Sequence, residues 1–318
     1  MTASDPTGTS PHLPQRVLIA VDASPASQQA LAYARNLLPE GGRVRLVSVA
    51  DNPHTIVPTG RLVGNALQAA REELLEDAAD VLSRAEEAFA QCKVKIETGV
   101  IDLSKHGGNV ASALIDEAIS WQAELLVVGS RQHHGLLRWI EGTVSEPLAK
   151  RSRCPLLIVP ERSKESPHRL PTRILFALDH SALALEALRH GVRFATQGTH
   201  LHAIYVVDRA VRLTDIVPID ALEDAFIEEG SAALRAGKPV LERVSEHAST
   251  ALVKTERSRD DVAHAIVRAA DNWHAELIVM GTHGRRGMTR WVLGSVAQHV
   301  AQLTHVPLLL VHAPEGAA

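Results

Sequence analysis

The chain has 318 residues, room for two domains of ordinary size, each large enough to bury a core without disulfides or metals. A formal net charge of -4 and 3% aromatic residues give it neither the basic surface nor the stacking residues of a nucleic-acid binder, so nucleic acid is set aside as a partner. The two cysteines, Cys92 and Cys154, stand outside any C-x-x-C spacing and are too few for a secreted disulfide framework, which fits a reducing cytoplasm.

Residues 1–15 are rich in Pro, Ser and Thr, lack a basic n-region and an apolar h-region, and are expected to form a disordered tail. No later run approaches the roughly 18 apolar residues of a membrane span, so no membrane is expected. From Val17 onward, short and nearly continuous apolar runs alternate with longer segments of helical spacing, the pattern of a parallel sheet covered on both faces; the fold class is α/β. Strands are predicted at Val17–Val21, Val44–Val49, Val94–Val100, Leu125–Val128 and Leu156–Val159. Between the second and third, Leu67–Ala90 reads as an amphipathic helix with Leu74, Val81, Leu82, Ala85 and Phe89 inward and Glu72, Glu73, Asp77 and Glu86 outward. The polar stretch 161–171 has the proline and charge content of a linker. Beyond it strands are predicted at Ile174–Leu178, Leu201–Val207, Leu252–Glu256, Leu277–Met280 and Leu308–Val311. The domains are accordingly 16–160 and 172–314.

The two halves repeat one another. Trp121-Gln122-Ala123-Glu124-Leu125 matches Trp273-His274-Ala275-Glu276-Leu277, and Cys154-Pro155-Leu156 matches Val306-Pro307-Leu308, both at an offset of 152. Near the start of each half, Val17 to Asp22 matches Ile174 to Asp179 at an offset of 157, so the second copy is five residues shorter. The loss is expected around Ser104 to Asn109, because Glu97-Thr98 and Glu256-Arg257 begin similar segments.

After the fourth apolar run of the second half come Gly281, two residues, Gly284, nine residues, and Gly294-Ser295. Such a glycine-bearing loop between strand and helix suits a phosphate: glycine lets backbone approach an anion, and the free N–H groups and dipole of the next helix attract negative charge. Ser295 can cap that helix or contact the anion. Arg285 and Arg286 can offer bidentate hydrogen bonds to phosphate. In an open α/β sheet a ligand settles beyond the carboxyl ends of the strands where the strand order reverses, so Asp22 and Asp179, ending the first strand of each half, should face these loops. The same aspartates also read as Asx turns or N-caps.

The spacing of Gly281, Gly284 and Gly294-Ser295 resembles the nucleotide-binding signature of the universal stress protein family, and the likeness covers almost the whole chain outside the tail and linker. It implies two tandem, doubly wound, open parallel five-stranded sheets of the Rossmann-like or HUP-like kind, as in the adenine nucleotide alpha hydrolases. It implies ATP as the ligand, with Mg²⁺ held through the phosphates, and carries nucleotide binding onto Ala177, Asp179, Val206, Met280, Gly281, Gly284, Gly294, Ser295 and Val296. In the first half Asp22, Val49, Val128, Gly129, Gly142, Thr143 and Val144 match, but Gln132 stands where the second half has Gly284. That adds a side chain and disfavours positive φ, so the first site is expected to be degenerate, with Arg131, His133 and His134 as compensating charge. Family members dimerise through the last strand, so Leu156–Val159 and Leu308–Val311 are expected to pair in an intrachain pseudo-dimer; a homodimer of tandem chains is left open.

Seventeen histidines raise a metal site, but no H-E-x-x-H or C-x-x-C spacing occurs, and surface or capping roles are expected for them. Trp139 and Trp291, paired across the halves, are read as loop packing. The motifs G-x-x-x-x-G-K-[ST], G-x-G-x-x-G and Gly-x-Ser-x-Gly are absent, as is the His-x-Gly-His turn of related adenylate-forming enzymes. Three functions follow in order: an ATP-binding stress regulator with slow or no hydrolysis, a nucleotide-independent interaction scaffold whose protein partners the sequence does not name, and a nucleotidyl- or phosphoryl-transferring enzyme.

Overall fold

A computed structural model describes residues 12–56, 64–131, 144–163, 169–209, 219–256, 260–284 and 293–313. The chain divides into two compact units, one built on Pro14–His168 and one on Arg169–Ala313. The first contains β1 (Arg16–Ala20), α1 (Pro25–Arg35), β2 (Arg43–Ala50), α2 (Pro53–Ile56), α3 (Gly64–Phe89), β3 (Lys95–Asp102), α4 (Leu103–His106), α5 (Val110–Ser120), β4 (Leu125–Ser130), α6 (Ser145–Arg151) and β5 (Leu156–Pro160). The second contains β6 (Arg173–Leu178), α7 (Ala182–Gly191), β7 (His200–Val207), α8 (Ile219–Glu242), β8 (Ala248–Lys254), α9 (Val262–Trp273), β9 (Leu277–Gly281), α10 (Ser295–Leu303) and β10 (Leu308–Val311).

Within the first unit the parallel strands run in the order β3-β2-β1-β4-β5, and within the second β8-β7-β6-β9-β10. The chain winds outward through the first three strands of each unit and then returns to the other side of the first. A switch point therefore lies between β1 and β4 and between β6 and β9. The central strands are apolar on both faces because helices cover both: Val17, Leu18 and Ile19 of β1 and Ile174, Leu175 and Phe176 of β6 are wholly buried. Among the described residues no helix is long and apolar enough to cross a membrane.

The predicted strands fall where the structure has strands, with one clear displacement. β8 spans Ala248–Lys254, beginning four residues before the expected Leu252 and ending two before Glu256. Its first half, Ala-Ser-Thr, is polar and partly exposed at the edge of the sheet, so the apolar-run criterion passes over it. The register moves the five-residue loss as well. Val44 pairs with Ile96 and its counterpart Leu201 pairs with Ala248, so the offset is already 152 by the third strand of each unit. The loss lies between β2 and the third strand, in the stretch holding α3 or α8, and not at Ser104 to Asn109.

Each unit latches the start of its first strand with a matched tryptophan. The Arg16 guanidinium lies 4.8 Å from the Trp121 ring centre and the Arg173 guanidinium 4.3 Å from that of Trp273. Around this latch the units diverge. The first carries an ion-pair network of Arg43, Arg45, Glu97 and Glu117, whereas the second has His200 stacked on His247 at 4.6 Å and His202 stacked on Trp273 at 5.1 Å.

That difference gives the units different acid responses. Burial chiefly holds His190 and His202 below the usual histidine value; Glu186 opposes this at His190 and contact with Ser249 opposes it at His202. The unfolded chain thus takes up these protons first, so the contribution is full above about pH 6.5 and is lost as the pH falls below it. In the first unit, Glu97 and Asp102 are held below the carboxylate range, chiefly by hydrogen bonds from Arg43 and Arg71. Their contribution is lost only as the pH falls through about 4. The second unit is expected to lose melting temperature on going from about pH 7 to 5, and His202→Gln to flatten that loss. Calorimetric melting across this range checks it; an unchanged slope in the variant contradicts it.

Candidate functional site

The site is assembled at the carboxyl ends of β6 and β9. Chain leaving β6 turns at Asp179, whose Oδ1 accepts hydrogen bonds from the Ser181 backbone N–H at 3.1 Å and hydroxyl at 2.6 Å. The Ser181 hydroxyl oxygen in turn accepts the Ala184 N–H at 3.0 Å and caps α7. The aspartate is therefore the Asx turn and the serine is the cap, a division of labour repeated by Asp22 and Ser24 at the start of α1. The other carboxylate oxygen of Asp179, Oδ2, lies on the side of the turn next to Gly284.

The loop after β9 closes from the other side. Thr282, fully buried, donates its backbone N–H to the Val311 carbonyl at 2.9 Å, and the Thr282 carbonyl accepts the Gly294 N–H at 2.8 Å. The loop thus returns on itself, so that a Cβ at Gly294 would lie 3.2 Å from the Thr282 carbonyl oxygen and 3.8 Å from the Gly284 nitrogen. Gly284 abuts the aspartate: a Cβ there would lie 2.6 Å from Asp179 Oδ2. Asp179, Gly284, Gly294 and the first turn of α10 converge as the switch-point argument requires.

Two expectations are corrected in their reasons. Gly284 does not adopt positive φ; the described glycines that do are Gly41, Gly107 and Gly108. Glycine is required at 284 by the carboxylate beside it, not by backbone handedness. Ser295 does not cap α10. Gly294 is the N-cap, with φ -60° and ψ 140°, it provides no side-chain acceptor, and Ser295 is the first helical residue. The N-cap of α10 thus supplies no side-chain acceptor, and the first N–H groups sit at the positive end of the helix dipole, beside the exposed Ser295.

The remaining predicted residues line the same end of the sheet. Ala177 in β6 and Met280 in β9 are buried, and Val206 in β7 is half-buried; the Leu178–Tyr205 pairing places it level with Asp179. Gly281 ends β9 against the Leu183 side chain of α7, and Val296, half-buried, follows Ser295. In the first unit Val49 in β2 is half-buried, Val128 in β4 is buried, and Gly129 follows it. Val144 precedes α6 with helical dihedrals, φ -60° and ψ -38°. Arg285, Arg286, Gly142, Thr143, Gln132, His133, His134, Trp139 and Trp291 lie outside the described residues, as do residues 1–11 of the expected tail.

Two features of these crevices were not legible beforehand. His180, between Asp179 and the capping serine, stands in the left-handed region at φ 69° with Nδ1 3.9 Å from Glu229 Oε1 of α8. Its first-repeat counterpart, Ala23, does not share that conformation. Arg131 turns to Asp22, Nη2 to Oδ2 at 3.7 Å. Neither follows from a spacing rule. Among the described residues no group of three or more His, Cys, Asp or Glu is arranged to hold a metal ion.

Comparison with known proteins gives consistent matches. The Universal stress protein family matches residues 14–160 and again 171–312. A universal stress protein of Mycolicibacterium smegmatis is 26% identical over 309 residues, covering 93% of this chain and 96% of its own length. One from Methanocaldococcus jannaschii is 34% identical over 146 residues, 45% of this chain and 83% of its own. The crystal structure of a universal stress protein from Archaeoglobus fulgidus superposes with a TM-score of 0.65 at 19% identity, covering 94% of this chain and 98% of that one, a likeness of fold.

Proposed function

We propose that this chain, which belongs to the universal stress protein family, binds ATP in its second repeat and acts as a cytoplasmic, nucleotide-dependent regulator or scaffold with slow or no hydrolysis. The observation that carries the proposal is the convergence of Asp179 Oδ2, Gly284 and the first turn of α10, whose N-cap is Gly294, at one switch point. An adenosine set on Ala177, Val206 and Met280 meets mostly apolar surface, and its ribose hydroxyls find an acceptor in Asp179. The phosphates then meet the α10 N–H groups and Ser295, with Arg285 and Arg286 as their cationic partners by sequence. Mg²⁺ would be held through the phosphates and would offset their charge.

The absence of a catalytic apparatus in the sequence motifs favours binding over turnover. Asp179→Ala is expected to weaken ATP roughly 10- to 100-fold, the range for a hydrogen bond to a charged acceptor, while leaving the fold intact because Ser181 still caps α7. Titration of both proteins, with phosphate release followed in parallel, decides this. Equal affinities would remove Asp179 from the site, and substrate-dependent turnover well above background would replace the regulator by an enzyme.

A further inference from the structure

In each repeat one long helix covers the outer strands, α3 on β2 and β3 and α8 on β7 and β8. The two helices bury the same positions at an offset of 152: Ala78, Ala85 and Phe89 in one, Gly230, Gly237 and Leu241 in the other. Along this seam three positions seven residues apart, on one face of the helix, change between the repeats together with what lies opposite them. At the first, Arg71 Nε of α3 donates to Asp102 Oδ2 at the end of β3, at 2.9 Å, whereas Glu223 Oε1 of α8 accepts from Lys254 Nζ at the end of β8, at 2.7 Å; the pair is kept and its charges are reversed. At the second, a Cβ on Gly230 would lie 2.4 Å from Tyr205 Cδ1 and 2.6 Å from Leu252 Cδ2. The first repeat has Ala78 there, with Ser48 and Val100 paired across β2 and β3 as Tyr205 and Leu252 are across β7 and β8. At the third, a Cβ on Gly237 would lie 2.9 Å from Leu178 Cδ1, and the counterparts are Ala85 and Val21. The helix gains a methyl group wherever the sheet loses bulk.

We infer that this seam is a selective docking surface: α3 and α8 each accept the sheet of their own repeat and reject the sheet of the other, whether in the same chain or in a second copy of it. Set on β7 and β8, α3 would bring Arg71 against Lys254 and against Arg209, whose Nε lies 3.4 Å from Glu223, and would drive the Ala78 methyl into the Tyr205 ring. That ring is 3% exposed, so close packing leaves it no room to turn aside. Set on β2 and β3, α8 would bring Glu223 against Asp102 and would leave glycines where Ala78 and Ala85 fill space above smaller side chains. Asp102 and Glu223 are only 12% and 22% exposed, so a like charge beside either is incompletely screened. Two copies of one fold in a single chain are open to exchange of equivalent segments, a characteristic failure of tandem proteins, and reversed charge and size at matched positions specify against it.

The test is refolding of the full-length chain from denaturant over a range of protein concentrations, with the fraction that fails to return to the starting species read by size-exclusion chromatography with light scattering. Two variants copy the first repeat into the second. One changes charge alone, Arg209→Asn, Glu223→Arg and Lys254→Asp; the other adds Leu178→Val, Tyr205→Ser, Gly230→Ala, Gly237→Ala and Leu252→Val. Gly129→Ala, in a glycine away from the seam, controls for lost stability. The wild type is expected to return to its starting species. The misassembled fraction is expected to rise at least about threefold in the charge copy and further in the full copy, while Gly129→Ala stays near the wild type. A full copy that folds and then refolds as cleanly as the wild type overturns the inference, because the seam then discriminates nothing. Equal misassembly in Gly129→Ala also overturns it, by assigning the effect to lost stability. If the full copy does not fold, the charge copy decides alone: a rise supports the inference, and refolding like the wild type overturns it.

Discussion

Gly284→Gln is expected to weaken ATP binding roughly 100-fold or more while changing stability by less than about 1 kcal/mol. The size follows from the contact. A Cβ at 284 would stand 2.6 Å from Asp179 Oδ2, so the loop must withdraw or the carboxylate must turn, and either takes the ribose acceptor away from the first turn of α10. Stability is spared because position 284 is exposed and its backbone lies outside the positive-φ region, so a glutamine needs room but no unusual dihedral. Melting curves and ATP titrations on the same preparation separate the two effects; a variant that binds normally removes Gly284 from the site, and one that fails to fold removes the argument from exposure.

Gly129→Ala is expected to act in the reverse way, destabilising the first unit by about 3 kcal/mol. A Cβ there would lie 2.3 Å from the Ala26 carbonyl oxygen and 2.4 Å from its carbonyl carbon, which belong to the first turn of α1. Backbone atoms inside a helix cannot swing aside, so α1 must lift from β4. For a unit of this size the lowering of melting temperature is roughly 6–12 °C. Gly281→Ala is the control: the matching Cβ meets Leu183 Cγ at 2.9 Å and Cδ2 at 3.2 Å, side-chain atoms that can change rotamer. Equal losses in the two variants, read by calorimetry, would contradict the packing account and leave both glycines as loop residues.

These two glycines show what a spacing can and cannot disclose. Gly, two residues, Gly, nine residues, Gly-Ser marks a strand-to-helix loop and one end of a sheet, but it does not say which glycine makes room for a helix backbone and which for a carboxylate. Asp179 was legible as a turn residue facing the crevice, yet its pairing with Ser181 depends on side-chain geometry no periodicity encodes. Strands buried on both faces, such as β1, β4, β6 and β9, announce themselves as apolar runs. β8 does not, because an edge strand with one wetted face begins in Ala-Ser-Thr, and the misplaced loss of five residues followed from that single strand. His180 and Arg131 lay beyond reach for another reason: their roles are conformational choices, a left-handed turn and a long side chain turned toward Asp22.

The most direct test of the whole account is the ATP stoichiometry of the unmodified full-length chain, measured by titration calorimetry in the presence of Mg²⁺. Close to one ATP per chain is the predicted result, with the second repeat as the working site and the first degenerate. No detectable binding at millimolar nucleotide would contradict it and leave the convergence of Asp179, Gly284 and α10 as architecture without a ligand.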